Sequence, residues 1–376
     1  MRRRAAVVLA ALAAVLSLSS VLGARASVGT GTGPVVARTA SAAARGPAAT
    51  RLRAAAWAPA ATRVPAATRV PAATRVPAAA RAPASAARRA AAYLRRAQNA
   101  DGGFGEAPGR GSAPLFSGWA ALGLSSAGVD VATLRRRAAD PTLLEYLRRH
   151  AGATDSGSLE RTILALRAGG ASVTDVAGHD LPAMLARRFS RRGAVGGLVN
   201  LTAFGMLALC AAGERSAAGL ERHAAAWLVR EQNRDGGYGF AGHGSQSDAD
   251  DTGAALEALR CATGGDGTVA ASVARARRRA VAYLRRDEDR DGGFPAAPGV
   301  GSNAQSTAWA IQGLIASGVA PSSLRRHGHT PLGYLAGLVT RGGAVRYARG
   351  VSVTPVWVTA EALLALTRTP LPVTAR

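Results

Sequence analysis

Six segments of the chain end on the same short apolar pattern, and each ending closes a nearly uncharged run typical of a helix. The closing leucines are Leu124, Leu166, Leu209, Leu259, Leu314 and Leu366. The steps between them are 42, 43, 50, 55 and 52 residues, which fit a two-helix repeat with loops of variable length. The pattern therefore predicts six helical hairpins.

Each unit opens with an Ala- and Arg-rich segment that carries an aromatic-Leu pair or a similar one. These pairs are Tyr93-Leu94, Tyr146-Leu147, Met184-Leu185, Trp227-Leu228, Tyr283-Leu284 and Tyr334-Leu335. Because arginines cluster in the opening helices, those helices are expected to form an outer, solvated layer and the closing helices an inner, buried one. We therefore predict an all-α fold over residues 86–368. It is an α/α toroid of twelve helices whose ends meet to close a ring.

Three loops inside the units are near copies that contain Asp-Gly-Gly followed by an aromatic residue. They span Gln98 to Phe104, Gln232 to Tyr238 and Glu288 to Phe294. Asp-Gly-Gly supplies the positive φ angles that end a helix and turn the chain. These loops resemble the QW-type repeat of squalene and terpene cyclases and of protein prenyltransferase β subunits, clearly in three units and faintly in the other three. The resemblance implies an α/α toroid around a largely apolar central cavity.

Both ends of the chain lie outside the predicted toroid. Residues 1–26 combine three arginines, an apolar run and Ala-x-Ala, an order typical of a secretory signal peptide, although the apolar run is also near the length of a membrane anchor. Residues 27–85 consist mainly of Ala, Pro, Arg, Thr and Gly and predict a disordered linker. Residues 369–376 form a short tail. We expect a protein that is secreted or otherwise extracytoplasmic, or one tethered at the cell surface.

The net charge of +24 comes entirely from arginine, since none of the 47 basic residues is lysine. The arginines are spread over all the outer helices, and no zinc-finger, RNA-recognition or helix-turn-helix signature accompanies them. This distribution favours a solvated face over specific nucleic-acid binding. Anionic cell-envelope polymers are the partners that such a face would attract.

The two cysteines occupy matching places. Cys210 follows the closing leucine of the third unit and Cys261 follows that of the fourth. In a secreted protein this placement favours a disulfide between adjacent inner helices. Two buried free thiols are the alternative.

The fourth unit carries three acids immediately before its inner helix. The run from Ser247 to Thr252 resembles the Asp-x-Asp-Asp-Thr motif of class II terpene cyclases. The resemblance implies that Asp250 is a catalytic proton donor and that Asp248 and Asp251 position its proton. Crowded, buried carboxyl groups raise one another's pKa, so one of them can stay protonated near neutral pH.

Helix capping explains the same residues differently. The fifth unit has Asn303 and Gln305 where the fourth has Asp248 and Asp250. A polar run that recurs without any acid is typical of a helix start, where such side chains accept hydrogen bonds from unpaired backbone N–H groups. Class II cyclases usually have a second barrel domain, and the single barrel predicted here favours capping over catalysis.

Counting back from the closing leucines predicts which side chains face the centre of the ring. The expected ligand-binding residues are Trp119, Phe204, Trp309, Trp357 and Gln305. Aromatic walls can hold an isoprenoid or stabilise a carbocation, but the same rings can instead be wedges packed between helices. The prenyltransferase zinc motif is missing, because neither cysteine follows an Asp at the required spacing. We expect no metal and no cofactor.

Three functions remain open. The favoured interpretation is a barrel that binds a small, apolar, isoprenoid-like ligand or a cell-envelope partner without catalysis. The alternative is an enzyme similar to class II terpene cyclases that protonates a polyprenyl substrate through Asp250. The third is a cell-wall-associated scaffold that uses the arginine face.

Overall fold

The computed structural model describes residues 78–152, 155–213, 218–262 and 267–374. The predicted signal peptide and most of the predicted linker lie outside these residues. The described part contains twelve α-helices that alternate between two layers. The outer helices are α1 (Ala78–Ala97), α3 (Leu143–Arg149), α5 (Leu181–Ala186), α7 (Ala218–Glu231), α9 (Gly267–Asp287) and α11 (Pro331–Leu338). The inner helices are α2 (Pro114–Ser126), α4 (Ser156–Ala168), α6 (Val199–Ala212), α8 (Ala249–Cys261), α10 (Ala304–Ala316) and α12 (Pro355–Thr367).

The inner helices form a closed ring. Each packs against the next inner helix in the chain, and α12 packs back on α2, while the outer helix α1 packs on α11 and α12. At the closure a Cβ on Gly123 would lie 2.7 Å from the carbonyl oxygen of Ala360, so only glycine lets α2 and α12 approach this closely. The predicted all-α toroid and its closure are confirmed.

Two short elements interrupt the helical pattern. Strand β1 (Phe294–Pro295) pairs antiparallel with β2 (Ser302–Asn303), with Phe294 opposite Asn303. A 3-10 turn covers Pro321–Ser323. The strands bring the loop of the fifth unit onto the start of α10, and an isolated bridge between Tyr238 and Asp248 does the same for α8.

The Asp-Gly-Gly loops join neighbouring units. Gly102 has φ +87°, and a Cβ there would lie 2.5 Å from the carbonyl oxygen of Thr142 in the next unit. The side-chain amide of Gln98 donates to Gly102 O at 2.9 Å and to Leu134 O at 3.2 Å. Gln232 makes the corresponding two bonds at 2.9 and 2.8 Å. The glutamine therefore ties its own loop to the following outer segment.

The same turn occurs in two units where the sequence resemblance is faint. The N–H of Ser190 donates to Ala194 O at 2.8 Å, and the N–H of Thr340 donates to Ala344 O at 2.9 Å. The matching bond in the first unit runs from Asn99 to Gly103 at 2.9 Å. The turn depends on backbone bonds and one glycine, so it persists when the aromatic residue and the glutamine are absent.

The predicted start of the toroid is eight residues late. Helix α1 begins at Ala78 rather than at 86, so residues 78–85, assigned to the linker, are helical. Alanine has the highest helix propensity, and the alternation of Ala and Arg gives this helix an apolar side. Ala86, Ala90 and Leu94 on that side are fully buried.

The C-terminal residues are packed rather than free. Leu371 is fully buried, its N–H donates to Glu257 Oε1 at 2.6 Å, and its carbonyl accepts from Arg260 at 2.7 Å. The segment after α12 thus reaches α8, two helices away around the ring, at the C-terminal end of the inner helices. The described part of the predicted tail therefore belongs to the domain.

Cys210 and Cys261 form a disulfide with a Cα–Cα distance of 6.1 Å, as predicted. It joins the C-terminal ends of α6 and α8. No helix among the described residues is long and apolar enough to cross a membrane.

Candidate functional site

The three acids of the fourth unit lie at the N-terminal end of α8, and only one of them caps the helix. Asp248 is the N-cap residue, and its Oδ1 accepts the backbone N–H of Asp251 at 2.7 Å. Asn303 caps α10 in the same way, with its Oδ1 accepting the N–H of Ser306 at 2.9 Å. The capping prediction is confirmed for Asp248. It leaves the role of Asp250 unexplained.

Asp250 is held by one oxygen and has no protein partner for the other. Its Oδ2 accepts the hydroxyl of Ser306 on α10 at 3.2 Å, while Oδ1 is buried without a hydrogen-bond partner among the described residues. Burial, followed by the charge of Asp248, raises the pKa of Asp250 to about 8. The carboxyl group is therefore mainly neutral at pH 7 and carries a proton.

Asp248 and Asp251 form a hydrogen-bonded carboxyl pair beside Asp250. Burial and repulsion by Asp251 raise the pKa of Asp248, and burial raises that of Asp251 although its bond to Asp248 opposes the shift. Adjacent buried carboxylates repel each other strongly, which favours a protonated group in this cluster. The three predicted catalytic acids thus form one cluster.

A second buried carboxyl group faces the same end of the ring. Glu361 on α12 accepts the side-chain amide of Gln305 and the indole N–H of Trp357, both at 2.7 Å. Burial raises its pKa to about 8 in spite of these two donors. Burial also raises the pKa of Tyr347 to about 12, and the charges of Asp250 and Glu361 add to the shift. Gln305, predicted to bind ligand, is therefore already bonded to Glu361.

The predicted aromatic residues come together at the centre of the ring. Trp119 lies with its ring centroid 6.0 Å from that of Phe204, 5.8 Å from Trp309 and 6.4 Å from Trp357, and the Phe204–Trp309 distance is 5.4 Å. We call these four side chains the aromatic layer. They contact one another from four inner helices, so the layer fills the ring where a central cavity was expected. At this level the four rings meet inside a ring of six helices.

The N-terminal end of the inner helices carries the partly exposed residues of the site. Phe204, Trp357, Asp250 and Gln305 all lie on inner helices yet are partly exposed. Ala254 on α8 is at the level of the layer, and Asp250 precedes it by one helical turn, a rise of about 6 Å. The acid therefore stands about one turn above the level of Trp119, Phe204 and Trp309, and at the level of Trp357. The opposite end of the ring carries the C-terminal segment.

Sequence reasoning did not select Ser306, Glu361 or Tyr347. Glu361 occupies the position five residues before Leu366, which is the counting rule that found Trp119 and Trp309, so its place in the repeat was the available signal. Ser306 and Tyr347 become visible only when neighbouring units are brought together. Among the described residues, no group of three or more His, Cys, Asp or Glu side chains is placed to hold a metal ion.

Comparison with known proteins gives the fold. No protein-family model matches the sequence, and no curated protein is similar to it. A variant of the type II terpene cyclase MstE from Scytonema, in complex with its substrate geranylgeranyl dihydroxybenzoate, has a TM-score of 0.56 at 15% identity, covering 77% of this chain and 97% of that chain. A protein from Actinoplanes has a TM-score of 0.55 at 18% identity, with 76% and 98% covered. A glycosidase in complex with glucose has a TM-score of 0.52 at 17% identity, with 76% and 96% covered.

Two conclusions follow from these similarities. Because the cyclase and the glycosidase share the fold, the fold alone does not assign an activity. The match covers 97% of the MstE chain, so not every type II cyclase has the second barrel that such enzymes usually have. The chain has the α/α-toroid fold of type II terpene cyclases.

Proposed function

We propose that the protein is a proton-initiated cyclase, similar to type II terpene cyclases, in which Asp250 protonates a carbon–carbon double bond of an isoprenoid chain. The observation that carries the proposal is the state of Asp250. Asp250 is partly exposed, but its Oδ1 is buried without a hydrogen-bond partner among the described residues, and its pKa is about 8. Helix capping does not require it, because Asp248 makes the cap.

The surroundings of Asp250 suit an acid that must act on carbon. An alkene is a very weak base, so the donor must keep its proton at neutral pH and stand where water does not compete. Burial keeps the carboxyl group protonated, and Ser306 fixes its orientation through Oδ2. The Asp248–Asp251 pair adds negative charge that opposes ionisation of Asp250.

The proposed reaction balances without a cofactor. The proton of Asp250 moves to one alkene carbon, the π electrons form the new C–H bond, and the other alkene carbon becomes a carbocation while Asp250 becomes a carboxylate. Neighbouring double bonds attack in turn and close rings. Loss of a proton to water or to a carboxylate ends the sequence, and solvent that reaches the partly exposed Asp250 returns a proton to its carboxylate. The product is an isomer of the substrate.

The aromatic layer supports the cationic stage of this reaction. The faces of Trp and Phe rings attract positive charge, with energies of about 0.5–2 kcal/mol for each contact. Trp357 is held by its bond to Glu361, so its ring presents a fixed face. The substrate would lie against the partly exposed rings of Phe204 and Trp357, beside the acid cluster.

Turnover of polyprenyl compounds tests the proposal. The full chain is incubated with squalene, geranylgeraniol or geranylgeranyl diphosphate, and extracts are examined by gas chromatography with mass spectrometry. We expect a cyclised isomer with the wild type and none with Asp250→Asn. Turnover should fall as the pH rises past about 8, because the carboxylate cannot donate a proton. The matched control is Asp155→Asn, which replaces the exposed N-cap of α4 and should retain activity.

Binding without catalysis is the second candidate. It is favoured by the close packing of the aromatic layer, which leaves no deep apolar chamber at that level. Quenching of tryptophan fluorescence by the same compounds separates the two functions. Quenching without any cyclised product from the wild type would support the binding function and contradict the cyclase.

A further inference from the structure

A cavity of about 430 Å³ lies on the outside of the barrel, and Asp250 is not among its lining residues. We call it the arginine cavity. Outer helix α9 lines it with Arg277, Arg278 and Arg285, and the segment after α10 lines it with Ser317 and Val319. None of the described lining residues is acidic. The cavity therefore presents concentrated positive charge in a concave site.

Two hydrogen-bond donors at this cavity have no acceptor. The Nε–H of Arg277 and the hydroxyl of Ser317 are buried without a partner among the described residues. The Nη2 of Arg277 donates to Ala316 O at 2.7 Å, which fixes the guanidinium against the wall. Buried donors are nearly always paired, because an unmade bond costs the desolvation of the group. A bound group rich in acceptor oxygens would satisfy both.

The charge balance also points to an anion. Among the described residues, no carboxylate forms an ion pair with Arg277. Burial and the nearby charge of Arg260 instead lower its pKa. Arg260 itself donates to the carbonyl of Leu371, a neutral acceptor. An anion in the cavity would offset both the repulsion between Arg277 and Arg260 and the cost of burying the Arg277 guanidinium.

A second outside cavity provides a contrast. It measures about 370 Å³ and is lined by Arg95 and Arg135, but Asp130 also lines it. The carboxylate of Asp130 accepts the hydroxyl of Thr133 at 2.9 Å and remains as a negative charge in the lining. Arginine content alone therefore does not distinguish the arginine cavity from the rest of this arginine-rich surface. The arginine cavity differs in two ways: its described lining has no carboxylate, and two of its donors are unpaired among the described residues.

We propose that the arginine cavity is a binding site for a phosphoryl group. The planar guanidinium fork matches the oxygens of phosphate and binds them in pairs, and the Ser317 hydroxyl supplies a further donor. The cavity is larger than a phosphate ion, so it has room for the group to which the phosphate is attached. Both a soluble phosphate ester and a phospholipid headgroup provide this chemistry. The site is independent of the proposed cyclase function.

Titration calorimetry at low ionic strength tests this site. One arm uses inorganic pyrophosphate, and the other uses phosphatidylcholine vesicles with and without phosphatidylglycerol. We expect the full chain to bind pyrophosphate, or the phosphatidylglycerol vesicles, with the affinity falling at least about tenfold for each guanidinium removed in Arg278→Ala and Arg285→Ala. Arg95→Ala with Arg135→Ala is the matched control and should bind like the wild type.

The outcomes are separable. Binding of pyrophosphate assigns a soluble ligand and binding of the vesicles alone assigns a lipid headgroup, provided that Arg278→Ala with Arg285→Ala abolishes it. Ser317→Ala should weaken binding without lowering the thermal stability of the free protein, because the hydroxyl has no partner to lose. The proposal is overturned if neither probe binds the wild type, or if the control variant loses affinity to the same extent.

Discussion

The raised pKa of Asp250 predicts a pH-dependent change in stability when the acid is replaced by Asn. The pKa rises from 3.8 to about 8 on folding, so between these values the native state binds more protons than the unfolded chain. The contribution of Asp250 to the free energy of unfolding therefore falls as the pH rises through this window. Integrated from pH 4 to pH 7, the loss reaches about 4 kcal/mol at most.

The substitution Asp250→Asn removes this loss. Asn can still accept the hydroxyl of Ser306, and the cap made by Asp248 stays in place. Relative to the wild type, the free energy of unfolding of the variant should rise by about 2–4 kcal/mol between pH 4 and pH 7. The range extends below about 4 kcal/mol because relaxation around the neighbouring acids offsets part of the effect. Urea denaturation followed by circular dichroism at both pH values measures the gain. Asp155→Asn, an exposed cap, is the control and should show no such gain. A constant difference between variant and wild type at the two pH values would refute the protonated state of Asp250.

Three further predictions concern the frame. Replacing Cys210 and Cys261 by Ser should lower the free energy of unfolding by about 4 kcal/mol in the chain-entropy model, and non-reducing peptide mapping should detect the pair, whereas free thiols on both residues would contradict it. The variant Gln232→Ala should lose about 1–3 kcal/mol in urea denaturation, because two buried carbonyls lose their donor, and an unchanged stability would show that water replaces the amide. The variant Leu371→Ala should cost about 2–5 kcal/mol through a buried cavity, and a neutral effect would show that the C-terminal segment does not contribute to the core.

The frame of the fold was predictable because it repeats. The closing leucines and the loops at Gln98 and Gln232 recur at helical-hairpin spacing, so layers, ring and disulfide could be inferred from periodicity. The start of α1 at Ala78 could not be inferred, since an alanine-rich sequence is compatible with both a helix and a linker. Only the burial of Ala86 in the structure distinguishes the two. The packing of the C-terminal segment depends on Glu257, a single acid with no signal of its own in the repeat.

The site was predictable only in part. The motif placed Asp248, Asp250 and Asp251 together, and the fifth unit correctly identified a cap. Which acid caps the helix and which has no capping role depends on the backbone geometry at the start of α8. The motif alone does not specify that geometry. Counting back from the leucines put Trp119 and Trp309 at one level. It could not give the radius of the ring, which decides whether their side chains line a cavity or meet.

Proton transfer from Asp250 is the central claim, and deuterium incorporation tests it most directly. The full chain is incubated with each polyprenyl compound in D₂O, and the products are analysed by mass spectrometry. Because Asp250 is partly exposed, its proton exchanges with solvent, and each cyclised molecule should gain one deuterium on the carbon that was protonated. Asp250→Asn should form no such product. A cyclised product without solvent-derived deuterium, or the absence of any cyclised product from the wild type, would contradict the account.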